Sequence, residues 1–298
     1  MATTKITSPD LFDLGSLTTA LQLPNGTTAE RPTSPSTGEW RYNTTTNLVE
    51  FWDGGEWRDL QSEDIPPTPS EHFAIVSWTG NGTSQTITGV GFQPDLVWIK
   101  EKTGSSYNEW YDSTRGATKY ISSNDTAGEG TSANGLQSFT VDGFTVGSDG
   151  AVNESDNAYE AWCWKANGGT TVTNNEGSIQ STVQANDKAG FSIIQYTGAN
   201  SLGAGTFGHG LSTPPTWLII RDLDGNSNWI AWPNVFGDVT KNLQLQSTSS
   251  VFSSDIVNST APTSTVISIS GSNDVNNNGK RFICYAFVGK AQYSTIST

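Results

Sequence analysis

The feature that most constrains this chain is an internal repeat. A proline turn leads into a short apolar run that ends in a cation over residues 93–100, and the same order recurs over 214–221. Flanking runs match as well, with offsets that drift from 118 residues upstream to 122 residues downstream. The runs are rich in β-branched and aromatic residues and predict buried strands. Two copies of this length indicate a duplicated domain rather than a solenoid of short units.

Composition favours an all-β fold. Only 15% of the 298 residues are charged, 31 are Gly, and the strong helix formers are sparse. Short strands joined by Gly- and Asn-rich turns need this mixture of residues. We therefore predict a small N-terminal β meander followed by two tandem antiparallel β-sandwich domains, each large enough to bury its own core.

Charge and hydropathy exclude several classes of partner. The net charge of −14 and the isoelectric point near 4.4 disfavour contact with phosphate backbones and anionic membranes. The N-terminus lacks the basic and apolar regions of a signal peptide, and no apolar run approaches the ~18 residues of a membrane span. We expect no nucleic-acid binding, no membrane insertion and no signal-directed export.

The chain divides by composition into six predicted segments. These are an N-terminal docking or assembly segment (1–37), a β meander (38–60), a proline-rich linker (61–70), a first β-sandwich (71–166), a second linker (167–186) and a second β-sandwich (187–298). Prolines interrupt any long helix in the first segment. Its scattered apolar residues are predicted to pack on another chain or another copy, with a poorly ordered tail as the alternative: Leu11, Phe12, Leu14, Leu17, Leu21 and Leu23.

Two parts of the sequence resemble known phage modules. A proline-rich lead, a strand with Arg-Tyr-Asn at 41–43 and the run Trp-Asp-Gly-Gly-Glu-Trp at 52–57 resemble a module near the N-terminus of tailed-bacteriophage fibre proteins. The stretches 92–100, 113–120, 142–148 and 161–165 resemble a domain of fibre and structural proteins of marine phages, cyanophages especially. The second copy lacks the Arg-Gly-Ala-Thr-Lys and Trp-Cys-Trp-Lys blocks of the first, so their role need not be shared.

The resemblance implies a function on a virion. It suggests a tail fibre or similar appendage that docks through its N-terminal segment, forms a homotrimer and attaches to a host-cell glycan or protein. Weak contacts of this kind become strong when several copies engage together. The alternative is a capsid decoration, head fibre, or neck or adaptor protein that binds no receptor.

Few residues suggest chemistry. Arg115 and Lys119 place two cations in one loop, which predicts either contact with a surface ligand or a structural turn that pairs them with local carboxylates. Asp222, Asp224 and Asn226 alternate like the start of a calcium loop but lack its distal Glu, so an ordinary hairpin turn is the favoured interpretation.

Catalysis and cofactors are not predicted. His72 and His209 do not form part of a recognisable triad, and Cys163 and Cys284 are expected to be buried free thiols. Two pairs of carboxylates could in principle act as the two catalytic groups of a glycosidase, Glu109 with Asp112 and Glu154 with Asp156. All four lie beside turn-forming residues, which favours a structural role. We expect no enzymatic activity, no cofactor and no metal.

Overall fold

The computed structural model describes residues 23–59 and 69–289. The chain divides into two compact units, Met1–Pro66 and Pro67–Thr298. Most of the apolar residues predicted to mediate docking therefore lie outside the described residues: Leu11, Phe12, Leu14, Leu17 and Leu21. Leu23 is described and is partly buried.

The N-terminal unit contains the predicted meander. Its sheet has the order β1-β2-β3-β4, with β1 parallel to β2 and the other neighbours antiparallel. The Asp53 carboxylate accepts hydrogen bonds from the backbone N–H groups of Gly55 and Glu56 and closes the β3–β4 hairpin, where Gly54 has a φ of +109°. The strands are β1 (Asn25–Gly26), β2 (Trp40–Asn43), β3 (Leu48–Trp52) and β4 (Trp57–Asp59).

One face of this small sheet holds a buried charge cluster. The Glu50 carboxylate is fully buried and lies 2.5 Å from Arg31 Nη2 and 3.4 Å from Arg41 Nε, and Asn43 donates to it. Burial opposes the charge of Glu50, but the hydrogen bonds and the two guanidinium groups offset it and lower its pKa. Ion pairs therefore occupy a position that a larger sheet would fill with apolar side chains.

Besides three short 3-10 helices, Pro69–Glu71, Asn200–Leu202 and Asn234–Phe236, the described part of the second unit contains strands and two single-turn α-helices. In chain order they are β5 (Phe73–Thr79), β6 (Gln85–Ile87), β7 (Leu96–Glu101), β8 (Glu109–Asp112), β9 (Lys119–Ser122), β10 (Gly130–Thr131), β11 (Leu136–Thr140), β12 (Gly143–Val146), α1 (Gly150–Asn153), β13 (Ala158–Trp164), β14 (Val172–Asn174), β15 (Ser181–Asn186), β16 (Phe191–Thr197), β17 (Gly205–Gly208), β18 (Trp217–Asp222), β19 (Ile230–Pro233), β20 (Lys241–Gln244), β21 (Phe252–Ser253), β22 (Val266–Ile269), α2 (Asn273–Asn276) and β23 (Arg281–Phe287). The all-β prediction is confirmed.

The two copies of the repeat have the same strand order. The large sheet of the first copy runs β10-β9-β8-β7-β13-β5, and that of the second runs β21-β20-β19-β18-β23-β16 and continues through β15 to β14. A small sheet packs against each large one, β11-β12-β6 in the first copy and β17-β22 in the second. Each copy is thus a two-layer sandwich around its own apolar core, as the duplication predicts.

A buried asparagine closes the same corner of each copy. Asn153 ends α1 and donates to the carbonyl groups of Thr83 and Gly147, while Asn276 ends α2 and donates to those of Gly203 and Ser270. Both asparagines have no exposed surface. The buried amide groups of both asparagines are satisfied in this way by loop carbonyl groups.

The two sandwiches are not separate domains. Their large sheets pack face to face around a third core, which includes Trp110, Trp229 and Tyr285. The ring of Trp110 in β8 lies 5.3 Å from that of Trp229 and 5.0 Å from that of Tyr285 in β23. We call this layer the seam, and it joins both copies into one unit.

The predicted linker over 167–186 is wrong. It contains β14 and β15, and β15 pairs with β16 along its whole length. The Asp95 carboxylate fixes the start of this segment, because it accepts hydrogen bonds from the backbone N–H groups of Ala166, Gly168 and Gly169. Its Gly- and Thr-rich composition is typical of a loop, but β14 is the edge strand of the large sheet and its residues are exposed or partly exposed, so polar side chains are accommodated there.

Candidate functional site

A groove of about 550 Å³ opens at one end of the seam. The first copy contributes residues from the β7–β8 connection, from β9 and from the β9–β10 connection, and the second contributes the β18–β19 hairpin and the start of β23. The lining residues with polar or charged side chains are Tyr107, Tyr120, Ser122, Asp125 and Glu129 from the first copy and Asp224, Asn226 and Arg281 from the second.

Backbone contacts between the copies hold the floor of the groove. The buried Arg221 donates to the carbonyl groups of Thr126 and Ala127 across the seam, and Glu129 donates its backbone N–H to the carbonyl of Leu223 at 2.8 Å. A Cβ at Gly128 would lie 2.8 Å from the Leu223 carbonyl oxygen, so only glycine permits this close approach. The groove is therefore preformed rather than assembled from independent loops.

A line of charges runs from the buried seam into the groove. Tyr285 donates to Asp112 at 2.7 Å, and Arg115 Nε lies 2.5 Å from the same carboxylate. Arg115 Nη1 then lies 3.6 Å from Glu129, which pairs with Arg281 Nη1 at 3.1 Å. The network links both copies and fixes the Glu129 carboxylate in the wall of the groove.

The mouth of the groove combines aromatic and hydrogen-bonding groups. Tyr107 is 54% exposed and Tyr120 is half-buried, and both line the groove. Arg281 donates to both Asp224 oxygens; although burial opposes the charge of Asp224, these bonds lower its pKa. Asp125 and the exposed Asn226 add carboxylate and amide groups. Concave walls with ring faces and a few converging polar groups are typical of a small-ligand site.

The structure separates the two cations for which either ligand contact or a structural turn is predicted. The Arg115 side chain is fully buried, where Asp112 and Glu129 surround it, so the structural-turn alternative holds for this residue. Burial opposes the charge, yet these carboxylates raise the pKa of its guanidinium. The Lys119 side chain is 41% exposed, and its Nζ lies 3.8 Å from Glu129 near the groove.

The residues considered for calcium form a hairpin turn. Asp222 is buried and accepts hydrogen bonds from the Asp224 backbone and the Ser227 hydroxyl, while Asp224 pairs with Arg281. Asn226 is exposed at the edge of the groove. In residues 23–59 and 69–289, no three His, Cys, Asp or Glu side chains are arranged to hold a metal ion.

The considered carboxylate pairs do not converge on a substrate. Glu109 and Asp112 project from opposite faces of β8, since Glu109 accepts a hydrogen bond from Tyr111 in the first core and Asp112 faces the seam. Burial raises the pKa of Glu109 to about 7. Glu154 and Asp156 are exposed in the α1–β13 connection, away from the groove lining.

The histidines and cysteines contact other groups of the protein and do not line the groove. His209 is buried, where it contacts the Thr263 carbonyl and accepts from the Leu211 backbone, and burial lowers its pKa. His72 contacts the Asn186 amide. Cys163 and Cys284 are free and buried, which confirms the sequence-based prediction.

No motif in the sequence marked the groove. Its loops are short, differ between the two copies and become neighbours only because the sheets pack face to face. The Asp-Gly-Asn hairpin stands out in the sequence only for its alternating oxygen ligands. Its place in the groove depends on Arg281, which pairs with Asp224 and lies 57 positions after it in the chain.

The fold and site define a duplicated β-sandwich domain with a groove at the seam. Residues 68–298 match the family described as "Domain of unknown function (DUF7483)", and the chain belongs to this family. The matched region coincides with the second compact unit and spans both copies, so the duplication lies within one family domain. No curated protein and no solved structure matches the chain. None of the helices in the described part is long and apolar enough to cross a membrane.

Proposed function

We propose that this protein is a structural component of a bacteriophage virion, a tail fibre or similar appendage that attaches to the host cell. The resemblance of its N-terminal motif and of its repeated domain to phage fibre proteins supports this role. The observation that carries attachment is the groove at the seam, which offers two tyrosine rings beside converging carboxylate, amide and guanidinium groups. The N-terminal segment docks onto the particle, and homotrimerisation multiplies weak contacts.

The chemistry of the groove favours a neutral, hydroxyl-rich glycan. Tyrosine rings present apolar faces to sugar rings, while carboxylates and amides accept and donate hydrogen bonds to hydroxyl groups. Three carboxylates, Asp125, Glu129 and Asp224, outnumber the single cation among the lining residues, Arg281. A polyanionic glycan would meet net repulsion there, and Arg115 is buried and cannot offset it.

Binding of the full chain to an array of bacterial surface polysaccharides tests this proposal. The wild type should bind one or a few neutral glycans, Tyr107→Ala should weaken binding at least tenfold, and Phe236→Ala should leave it unchanged. Phe236 is a suitable control because it is 39% exposed and lies outside the groove lining.

Two results would contradict attachment through the groove. If Tyr107→Ala bound as tightly as the wild type, the glycan would be held elsewhere. If the wild type bound no glycan but bound purified capsids or tails, the alternative of a decoration, head-fibre or neck protein would replace the attachment role. Shortening of a bound glycan by the wild type would contradict the expected absence of enzymatic activity.

A further inference from the structure

Comparison of the two copies reveals a sheet edge that is paired in one copy and lacks a described partner in the other. In the second copy, β16 has a partner on both sides, β23 and β15. Its counterpart in the first copy, β5, pairs with β13 and has no second partner among the described residues. Within residues 23–59 and 69–289, the same position of the fold is thus paired in the second copy and unpaired in the first.

The open edge carries none of the usual protection against pairing. The seven residues of β5, Phe-Ala-Ile-Val-Ser-Trp-Thr, include no charge and no proline, and their register with β13 runs without a bulge. The other ends of the two large sheets, as far as the structure describes them, are β10, β14 and β21, which have only two or three residues each. Long, flat, uncharged edges recruit further strands, and natural proteins normally block them.

An apolar shelf adjoins this edge. Ile75 of β5, Trp162 of β13 and Trp98 of β7 lie side by side in one row across the sheet. Ile75 is 53% exposed and the two tryptophans are partly exposed, with their rings 5.1 Å apart. In the second copy the corresponding Ile193 has no exposed surface. A strand added at β5 would extend the sheet beside this shelf.

The sequence before β5 differs from the one that covers β16. The segment that supplies β15 has backbone N–H groups throughout, whereas the stretch just before β5 contains Pro66, Pro67 and Pro69. Proline donates no hydrogen bond, so this stretch is a poor substitute for β15. The covering strand is better supplied by another chain.

We propose that β5 is an interface between two copies of this protein, paired antiparallel about a two-fold axis. An uncharged strand brings no like charges opposite each other when it pairs with itself, and antiparallel pairing keeps residues of one face on the same face of the joint sheet. The shelf of one copy then continues into that of its partner. The charge in the neighbouring row, which contains Ser77 and Glu160, is also neutralised, because Glu160 pairs with Lys102 of the same copy at 3.2 Å. Self-complementary contact of this kind is the isologous arrangement of a dimer.

Sedimentation velocity of the full chain over a range of concentrations tests this interface. The wild type should show a reversible doubling of the mass of its smallest assembly, so that the proposed trimer pairs into a hexamer, and Ile75→Lys should raise the concentration needed for it at least tenfold. Val172→Lys is the matched control, since Val172 is 60% exposed on the outer strand β14, and it should associate like the wild type. Ser77→Lys provides a second, independent change at the exposed face of β5 and should behave like Ile75→Lys.

Three outcomes would overturn the proposal. The first is a wild type that shows no doubling of mass at high concentration, and the second is an Ile75→Lys variant that doubles normally. The third is an association that Val172→Lys also removes, which would place the contact at β14. Glycan binding in the groove does not depend on β5, so the proposed function and this interface can fail separately.

Discussion

The two copies of the sandwich have the same strand order but differ in the polarity of their buried side chains. Glu109 in β8 occupies the position of Ile230 in β19, and Asp112 occupies that of Pro233. The second copy fills these places with apolar side chains, while the first uses them for a buried carboxyl group and for an ion pair with Arg115. The fold itself therefore needs the apolar pattern and the helix asparagines, whereas the Asp112–Arg115 pair of the first copy serves the seam.

The ion pair in the first copy should produce the largest effect. Arg115→Ala leaves the Asp112 carboxylate buried without its cation, and loss of one partner of a buried pair costs about 3–5 kcal/mol. Urea unfolding of the full chain measures this cost. Phe236→Ala, in the corresponding β19–β20 connection, is the control and should cost less than about 1 kcal/mol. A loss below about 1 kcal/mol for Arg115→Ala would mean that the pair does not stabilise the seam.

The helix asparagines should have equal effects in the two copies. Asn153→Ala and Asn276→Ala each remove a buried side chain that donates to two loop carbonyl groups and accepts from one backbone N–H, and each lost hydrogen bond costs about 1 kcal/mol. We expect a decrease of about 3 kcal/mol in the free energy of unfolding for either variant. If only one of the two variants lowered the free energy of unfolding, the two asparagines would not be structurally equivalent.

Glu109 should make stability depend on pH in a way that the second copy does not. Its pKa in the folded protein is raised to about 7, so the folded state favours the neutral carboxyl group. This contribution is complete below the ordinary pKa near 4.5 and is lost as the pH rises through 7. Glu109→Gln should remove the dependence and be more stable than the wild type at pH 8 by on the order of 2–3 kcal/mol.

Thermal or urea unfolding between pH 5 and pH 8 measures this difference. Glu154→Gln is the matched control, because it makes the same substitution at an exposed position outside the core, and it should follow the wild type. A Glu109→Gln profile parallel to that of the wild type would show that Glu109 ionises normally in the folded protein.

The smallest effect is expected at the rim of the groove. Arg281 pairs with Asp224 and Glu129, but its side chain is 40% exposed. Solvent screening limits such pairs to about 0–1 kcal/mol. Arg281→Gln should therefore cost no more than this at low salt and less in 1 M NaCl. A larger loss that salt does not reduce would indicate that Arg281 carries part of the seam.

The duplication, the strand class and several local signals could be read from the sequence. The repeat offsets predicted equivalent strands, and β7 and β18 are the buried runs that the apolar pattern indicated. The Asp53 hairpin formed where Gly supplied a positive φ. These features depend on residues that are close in the sequence, so the local pattern of apolar and turn-forming residues predicts them.

The seam, the groove and β15 could not be read in the same way. Trp110 and Trp229 alternate like ordinary core residues, and nothing in a strand pattern says that its second face meets another copy rather than water. The Arg115–Asp112 pair is local and the structural-turn alternative covers it, but the burial of Arg115 also depends on Glu129, which lies 14 residues further along the chain. Long-range packing decides all three features, and one sequence does not encode which faces meet.

The central claim is that the two copies form one unit, since the groove exists only at their seam. Native-state hydrogen exchange of the full chain tests it most directly, with the amides of β13 read separately from those of β23. We predict one shared free energy of opening for both strands, because the seam joins their cores. Clearly different free energies, with one copy opening while the other stays closed, would contradict the account.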